Sequence, residues 1–461
     1  MSLLIRGAAA LLLCACAAAQ AKVSEDQAKR LLPGGDLTPL GGERAGTADG
    51  RIPEWKGAWT TAPKDWKGPG TRLTDPFAAD KLLFTITADN VEQYRKELTV
   101  GQLAMFKKYP RTYRMPVYGT RRTAGAPKFV VEATYQNALK AELGANGEAL
   151  VNAVIGIPFP IPSSGKEVIW NHKVRYRGLG ARRWNAQAAV TTSGSYNLSK
   201  LREDIYLKYA TPGIQAEQLN NVGLYFLQVV TEPPRLAGTL TLVHETLDQV
   251  KEPRRAWQYN PGQRRLRRAP NVGYDNPGTA SDGLRTNDQT DTYNGATDRY
   301  TWKIAGKKIY YMPYNAWRIH SDKLKYKDIL TPGHINQAHT RYEARRVWVL
   351  ESNLREGTSH IYKRRTFYLD EDSWQILAVD IYDKRDQLWR VQESHSGPNY
   401  QPDKSSGEAA GTISPLLETV YDLQSGRYLA QAMNNEDPET AEMDFSEDYF
   451  EPDNVKKLTS K

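Results

Sequence analysis

The sequence predicts an α+β protein, mainly antiparallel β: one large, strongly curled sheet that stops short of closing, with helices from the first third over its concave side. Three observations lead there. Strand-like patterns run almost unbroken from about Trp184 to Ser394. Helix-like periodicity is confined to the stretch between Asp89 and Gly178. Several strands are apolar on both faces, so each face must be covered over part of its area.

Residues 1–21 read as a removable export signal. Arg6 supplies the charged start, Gly7 to Cys16 the apolar stretch, and Ala19-Gln20-Ala21 a small-x-small cleavage site, so Ala21 and Lys22 flank the cut. A rival reading is a lipoprotein signal, with Leu13-Cys14-Ala15-Cys16 placing a lipid on Cys16. The apolar stretch is shorter than the ~20 residues that span a bilayer. Both cysteines lie inside this segment, so disulfides, thiol catalysis and cysteine metal sites are excluded from the processed chain. Its stability must come from a core, and 461 residues with 40% hydrophobic and 10% aromatic content can bury one.

Residues 22–74 read as an extended arm, punctuated at Pro33-Gly34-Gly35, Asp49-Gly50 and Gly68-Pro69-Gly70 and pinned by Trp55, Trp59 and Trp66. The body spans residues 75–433. Within it, Asp89 is the expected cap of a helix from Val91 to Leu98, and Thr99 that of a helix from Val100 to Lys108 closed by Pro110. A third helix is expected from Lys128 to Leu143 with Gly144 as its C-cap, and a fourth from Lys166 to Arg177 ended by Gly178. Between them Pro158, Pro160 and Pro162 enforce a rigid, extended loop.

The strands follow. Leu236, Leu240 and Leu242 alternate with Thr239 and Thr241, the period-two pattern of a sheet face against a core. Trp257 and Tyr259 share a face before the turn Asn260-Pro261-Gly262, with Leu266 on the return strand. Tyr300, Trp302 and Ile304 precede an Ala305-Gly306 turn, with Ile309 and Tyr311 beyond it, which predicts another hairpin. Four further strands are expected at Tyr342 to Leu350, His360 to Leu369, Trp374 to Tyr382 and Gln387 to Glu393. In the first, Val347 and Val349 oppose Trp348 and Leu350; in the third, Trp374, Ile376 and Ala378 oppose Leu377, Val379 and Ile381. The connection from Val272 to Asp298, rich in Asp, Asn, Thr and Gly, reads as a lid or a disordered loop. Residues 434–461 form an acidic tail, with no Lys or Arg between Arg427 and Lys456.

The net charge is +9, and paired basics recur at Arg182-Arg183, Arg254-Arg255, Arg264-Arg265, Arg267-Arg268, Arg345-Arg346 and Arg364-Arg365. These read as edge and solubility residues on a solvated face rather than as a nucleic-acid stripe. Ser163 and Lys166 have the spacing of an amine-activated serine, but no Lys-Thr-Gly partner accompanies them, and a turn capping the next helix is the expected role. His334 and His339 lack zinc-motif spacing, and Asp370-Glu371-Asp372 reads as a charged hairpin tip rather than a calcium site. No catalytic residue, metal or cofactor is assigned. A cavity between sheet and helices would be the binding site, lined in part by Trp257, Tyr259, Trp302 and Trp348.

Several strings together resemble one bacterial family of exported proteins of unknown function, described as outer-membrane lipoprotein-sorting-protein-like. They are Gly156 to Pro162, Glu167 to His172, Arg175 to Gly178, Trp257 to Pro261, Arg267 to Pro270, Arg345 to Val349, His360 to Tyr362 and Asp370 to Trp374. The resemblance implies a fold similar to the LolA and LolB lipoprotein carriers, an incompletely closed β-barrel with helices over an apolar cavity. It also implies a periplasmic shuttle or adaptor working with an exporter of the resistance-nodulation-division class and an outer-membrane protein. The expected function is therefore carriage of a hydrophobic molecule, a lipid, sterol-like compound or acylated protein, in the periplasm or at the outer membrane, without enzymatic activity. A hydrolase of lipid or envelope polymer and a structural component of an envelope complex are the alternatives.

Overall fold

The computed structural model describes residues 23–144, 147–269, 274–404, 406–408 and 411–458. The expected export signal, its expected cleavage site at Ala21 and Lys22, and Cys16 lie outside them. Helix α1 (Glu25–Lys29) is the first element of the described residues, followed by β1 (Leu82–Ile86), α2 (Val100–Lys108) and β2 (Met115–Tyr118). Thr99 caps α2 as expected: its hydroxyl accepts the Gln102 amide at 3.0 Å, and the Gln102 side chain accepts the Thr99 amide at 3.0 Å. The segment Val91–Glu97 is a 3-10 helix capped by Asn90 without a side-chain bond, not an α-helix capped by Asp89.

Helix α3 (Lys128–Lys140) ends earlier than expected, because Ala141 turns extended and leads into a small ladder of β3 (Glu142–Leu143) with β4 (Leu150–Val151). Gly144 closes that hairpin, its amide donating to Ala149 O at 2.7 Å, so it is no helix cap. Helix α4 (Gly165–Val174) starts at Ser164, whose hydroxyl and Glu167 form a capping box. Arg175 is already extended, three residues before Gly178.

The sheet consists of two antiparallel meanders. The first is β5 (Gly180–Val190), β6 (Tyr196–Tyr206), β7 (Val222–Glu232), β8 (Leu240–Thr246), β9 (Arg255–Asn260) and β10 (Arg265–Arg268). The second begins with β11 (Tyr300–Pro313) and, after the short α5 (Tyr326–Ile329), continues through β12 (Tyr342–Leu354), β13 (Arg364–Asp370), β14 (Ile376–Tyr382), β15 (Leu388–Asn399), β16 (Thr412–Asp422) and β17 (Tyr428–Met433). Pairing of β17 with β5 joins the two, and β18 (Ala441–Glu442) extends that edge before the final helix α6 (Pro452–Leu458). With β1 and β2 added beside β12, the sheet has 16 strands. Among the described residues β10 pairs only with β9 and β11 only with β12, so the sheet is not closed.

The expected hairpin at Ala305-Gly306 is instead one 14-residue strand. All of β11 pairs with β12, and a bulge between Ile304 and Gly306 absorbs the turn-like residues, with Gly306 at φ 122°. A second bulge, opposite Tyr368 and Leu369, shifts the phase of β14. Ile376 therefore shares a cluster with Val379 and Ile381, while Leu377 and Ala378 lie in the cluster of the other face. The opposition of Val347 and Val349 to Trp348 and Leu350 is as expected, with a separate apolar cluster on each side.

One face of the sheet carries Arg183, Glu203, Gln228 and Thr241 in the first meander and Phe367, Gln392 and Glu418 in the second, and is called here the groove face. Helix α4 covers its β11–β12 end, with Val168 and Ile169 against Leu350 and Phe367. Helix α2 lies on the opposite face, against β14 and β15, where Asp380 accepts the Gly101 amide at 2.9 Å. The early helices therefore divide between the two faces. The C-terminal segment also packs: Phe450 and Val455 are fully buried against Tyr225, Leu227, Leu240 and Leu242 on the opposite face of β7 to β9.

The described part of the connection between the meanders, residues 274–298, is laid down on the groove face. Asp288 pairs with Arg365 on β13 at 2.8 Å, Gln289 donates to Gln392 on β15 at 3.1 Å, and Thr292 donates to Glu418 on β16 at 3.3 Å. Leu284 packs with Ala189, Val420 and Leu429. The polar side chains that make this stretch look solvated in sequence are the groups that anchor it.

Candidate functional site

The groove face of the first meander is left open by α4 and by this connection, and it forms a cavity of about 670 Å³. Strand alternation sets its floor: Arg183, Glu203, Gln228, Thr241 and Gln258 stand on successive strands. Its walls come from Arg177 after α4, from Arg285 and Asp291 on the connection, and from Glu418 on β16.

The floor is charged and ordered. Glu203 accepts from Arg183 Nε at 2.6 Å, Asn185 Nδ2 at 3.0 Å and Gln228 Nε2 at 2.9 Å. Burial pushes its carboxyl up, but the Arg183 guanidinium and the amide donors outweigh that and hold it below the usual range. Asp291 behaves alike: burial opposes ionisation, while Arg175 at 2.7 Å and Arg177 beside it hold the carboxyl well below the ordinary value. Glu418 goes the other way. Burial and then the Asp291 charge push it up to about 7, against the Gln431 amide donating at 2.7 Å. Arg254 pairs with Glu245 at 2.5 Å and lies over the Tyr274 ring. Arg285 is 6% exposed, and among the described residues its Nη1 reaches only the Thr286 carbonyl, at 3.3 Å.

A smaller cavity of about 170 Å³ adjoins the groove, sharing Arg177, Arg183, Ile205, Asp291 and Ala432 with it. Its other walls include Trp184, Leu207, Trp317 and Leu416. The junction coincides with the break in β17–β5 register between Ala430 and Met433, where Ala432 adopts φ 63° and donates its amide to Asn185 at 2.8 Å. The smaller chamber is charged as well, with Asp403, Glu408, Glu439 and Glu442 in its lining, and Leu207, Trp317 and Leu416 supply its apolar part.

The four aromatics expected to line a single cavity do not converge. Trp257 packs on His244, ring centroids 4.8 Å apart, on the face covered by the C-terminal segment. Tyr259 borders the groove, but it is buried with Leu240, Leu242 and Phe450 in the cluster of the opposite face. Trp302 packs against Tyr293 and Phe367, donates Nε1 to Thr297 O at 2.9 Å, and borders a separate open depression with Ser164 and Lys166. Trp348 stacks on Trp374 at 6.1 Å beneath the Lys307 ammonium. Alternation locates a face without saying which side stays open, and here the aromatic sides are the covered ones.

The arginines were the missed signal. Arg345 and Arg365 are buried rather than solvated: Arg345 bonds Asp370 at 2.6 Å and Asp372 at 3.0 Å, and Arg365 bonds Asp288. The Asp370-Glu371-Asp372 tip is accordingly buried, with Arg122 on Asp372 at 2.6 Å and Arg346 and Lys307 on Glu371 at 2.6 and 2.9 Å. Ser163 donates to Glu167 at 3.1 Å and Lys166 pairs with Glu148, each engaged within the start of α4 and its surroundings. His334 bonds Ile335 O and the Thr112 hydroxyl, at 2.7 and 2.9 Å.

These features define a mixed α+β protein with an open, mostly antiparallel sheet of 16 strands and a charged groove on one face. Among the described residues no helix is long and apolar enough to cross a membrane. The chain belongs to the family described as protein of unknown function (DUF1329), matched over residues 85–456. It is 50% identical over 426 residues to the uncharacterized protein PA3922 of Pseudomonas aeruginosa, covering 92% of this chain and 91% of that protein. Similar solved structures include a domain from Vibrio parahaemolyticus described as a candidate outer membrane lipoprotein-sorting protein, 14% identical, with TM-score 0.42 over 63% of this chain and 97% of that one. The LolA superfamily protein NE2245 of Nitrosomonas europaea is 12% identical, with TM-score 0.37 over 63% of this chain and 99% of that one.

Proposed function

We propose that this protein is an envelope carrier or adaptor that binds an amphiphile, its polar end on the charged floor of the groove and its apolar chain toward Leu207, Trp317 and Leu416. The observation that carries the reading is the junction of the two cavities at Arg177, Arg183, Ile205, Asp291 and Ala432. The groove volume lies within the range of small-molecule sites, about 300–1,000 Å³. The physical need is transfer through water, because each exposed methylene costs about 0.8 kcal/mol and a dozen cost on the order of 10 kcal/mol. The export signal supports a periplasmic setting, and the resemblance supports an exporter of the resistance-nodulation-division class and an outer-membrane protein as partners.

The test is to purify the protein without delipidation and identify co-purifying molecules by native mass spectrometry. Delipidated protein is then titrated with a long-chain lipid while the fluorescence of Trp184 and Trp317 is followed. The proposal expects a bound amphiphile and a saturable change; a folded, delipidated protein that binds neither lipids, sterols nor acylated peptides contradicts it.

A second reading, a hydrolase, is favoured by one pair. Glu418, protonated up to about pH 7, lies near ionised Asp291, and carboxylates pushed apart in this way suit acid and base roles. Glu418→Gln separates the readings: a carrier keeps lipid binding and shows no turnover to lose, whereas a hydrolase loses a measurable hydrolysis.

A further inference from the structure

We infer that the groove recognises an anionic headgroup, a phosphate or carboxylate, and that Arg285 is the residue that meets it. This deepens the amphiphile reading and rests on it. Arg285 lines the groove while being 6% exposed, and its Nε has no hydrogen-bond partner among the described residues. The other buried or half-buried guanidiniums around the groove each hold a carboxylate: Arg177 has Asp291, Arg183 has Glu203 and Arg254 has Glu245. Arg285 forms no ion pair among the described residues, and its single bond, to the Thr286 carbonyl, is long.

The seat is built for the guanidinium. Gly278 lies flat against it, and a Cβ there would stand 2.3 Å from Nη1 and 2.5 Å from Cζ. Glu418 and Glu203 attract the guanidinium without an ion-pair contact among the described residues; a buried cation left so is costly, and a planar fork of donors is the group that meets phosphate or carboxylate in two parallel bonds. The surroundings agree in sign: seven arginines and four carboxylates line the groove. At its mouth Arg265, Arg267 and Arg268 on edge strand β10 are in no ion pair among the described residues. Together they attract an anion, and Arg285 fixes its place.

The experiment uses the delipidated full chain and three probes. These are a short-chain phosphatidylglycerol, the matching phosphatidylcholine, both below their micelle concentrations, and inorganic phosphate. The anionic lipid should bind about tenfold tighter than the zwitterionic one, and R285Q should remove that preference. The melting temperature of ligand-free R285Q should stay level or rise, because a buried charge with no ion-pair contact has been removed; a marked fall would mean a structural role and overturn the assignment of Arg285. Equal affinity of the parent protein for the two lipids overturns the inference while leaving the amphiphile reading intact, and needs no variant. Phosphate binding that R285Q abolishes, with no lipid bound, upholds the anion site and overturns the amphiphile reading. Binding of none of the three overturns both.

Discussion

At the scale of single residues, the burial of charge decides most of what is unusual here. Glu393 on β15 is fully buried beneath α2, accepting from Tyr342 at 3.1 Å and Gln102 at 3.3 Å, and burial pushes it up to about 7 from 4.5. Its folded value is raised, so its contribution to stability is complete below about pH 4.5 and is lost as pH rises through about 7. The full loss is of order 3 kcal/mol. Glu393→Gln keeps the shape without the titration, so its melting temperature relative to the parent should be higher at pH 8 than at pH 5. Calorimetry at the two pH values checks this; a difference independent of pH would contradict it. Trp257 supplies a second case. Because it packs on His244 under the C-terminal segment, Trp257→Gln should lower stability by roughly 1–3 kcal/mol while leaving ligand affinity within about twofold, as read by denaturant unfolding and lipid titration.

At the scale of elements, local rules worked where a local signal is decisive. Thr99 with Gln102 marks the start of α2, and Ser164 with Glu167 that of α4, because a capping box is a contact between near neighbours in sequence. Hydrophobic alternation located the starts of β12 to β15 within four residues, while β12 and β15 run four and six residues beyond their expected ends. It lost phase at β11 and β14, where an extra residue is absorbed by a bulge, and a bulge depends on the partner strand. The segment 434–461 reads as an acidic tail by charge, yet its apolar residues Phe450 and Val455 seal the outer side of β7 to β9. Phe450→Ala should therefore cost about 3–5 kcal/mol in denaturant unfolding. Arg345→Met should cost a similar amount, about 3–5 kcal/mol, because it strands Asp370 in the interior and leaves Asp372 to Arg122 alone. A change under 1 kcal/mol in either variant would mean that the segment or the ion cluster is peripheral to the folded core.

At the scale of the whole molecule, a large open antiparallel sheet with each face covered over part of its area was legible, since doubly apolar strands in series leave few other arrangements. The joining of the meanders through β17 and β5 was not, because that pairing spans more than 230 residues and leaves no local trace. Nor was the site. Its polar residues stand one per strand, and they read as a wet face until the connection at residues 274–298 walls them in. The central claim is that an amphiphile occupies this groove. Photo-crosslinking with a lipid that carries a diazirine near its headgroup, followed by peptide mapping, tests it most directly. The account predicts labelling on the groove strands around Glu203 and Gln228 and on the connection around Arg285, competed away by unlabelled lipid. Labelling concentrated at Trp302 or Trp348, or none that a competitor removes, would contradict it.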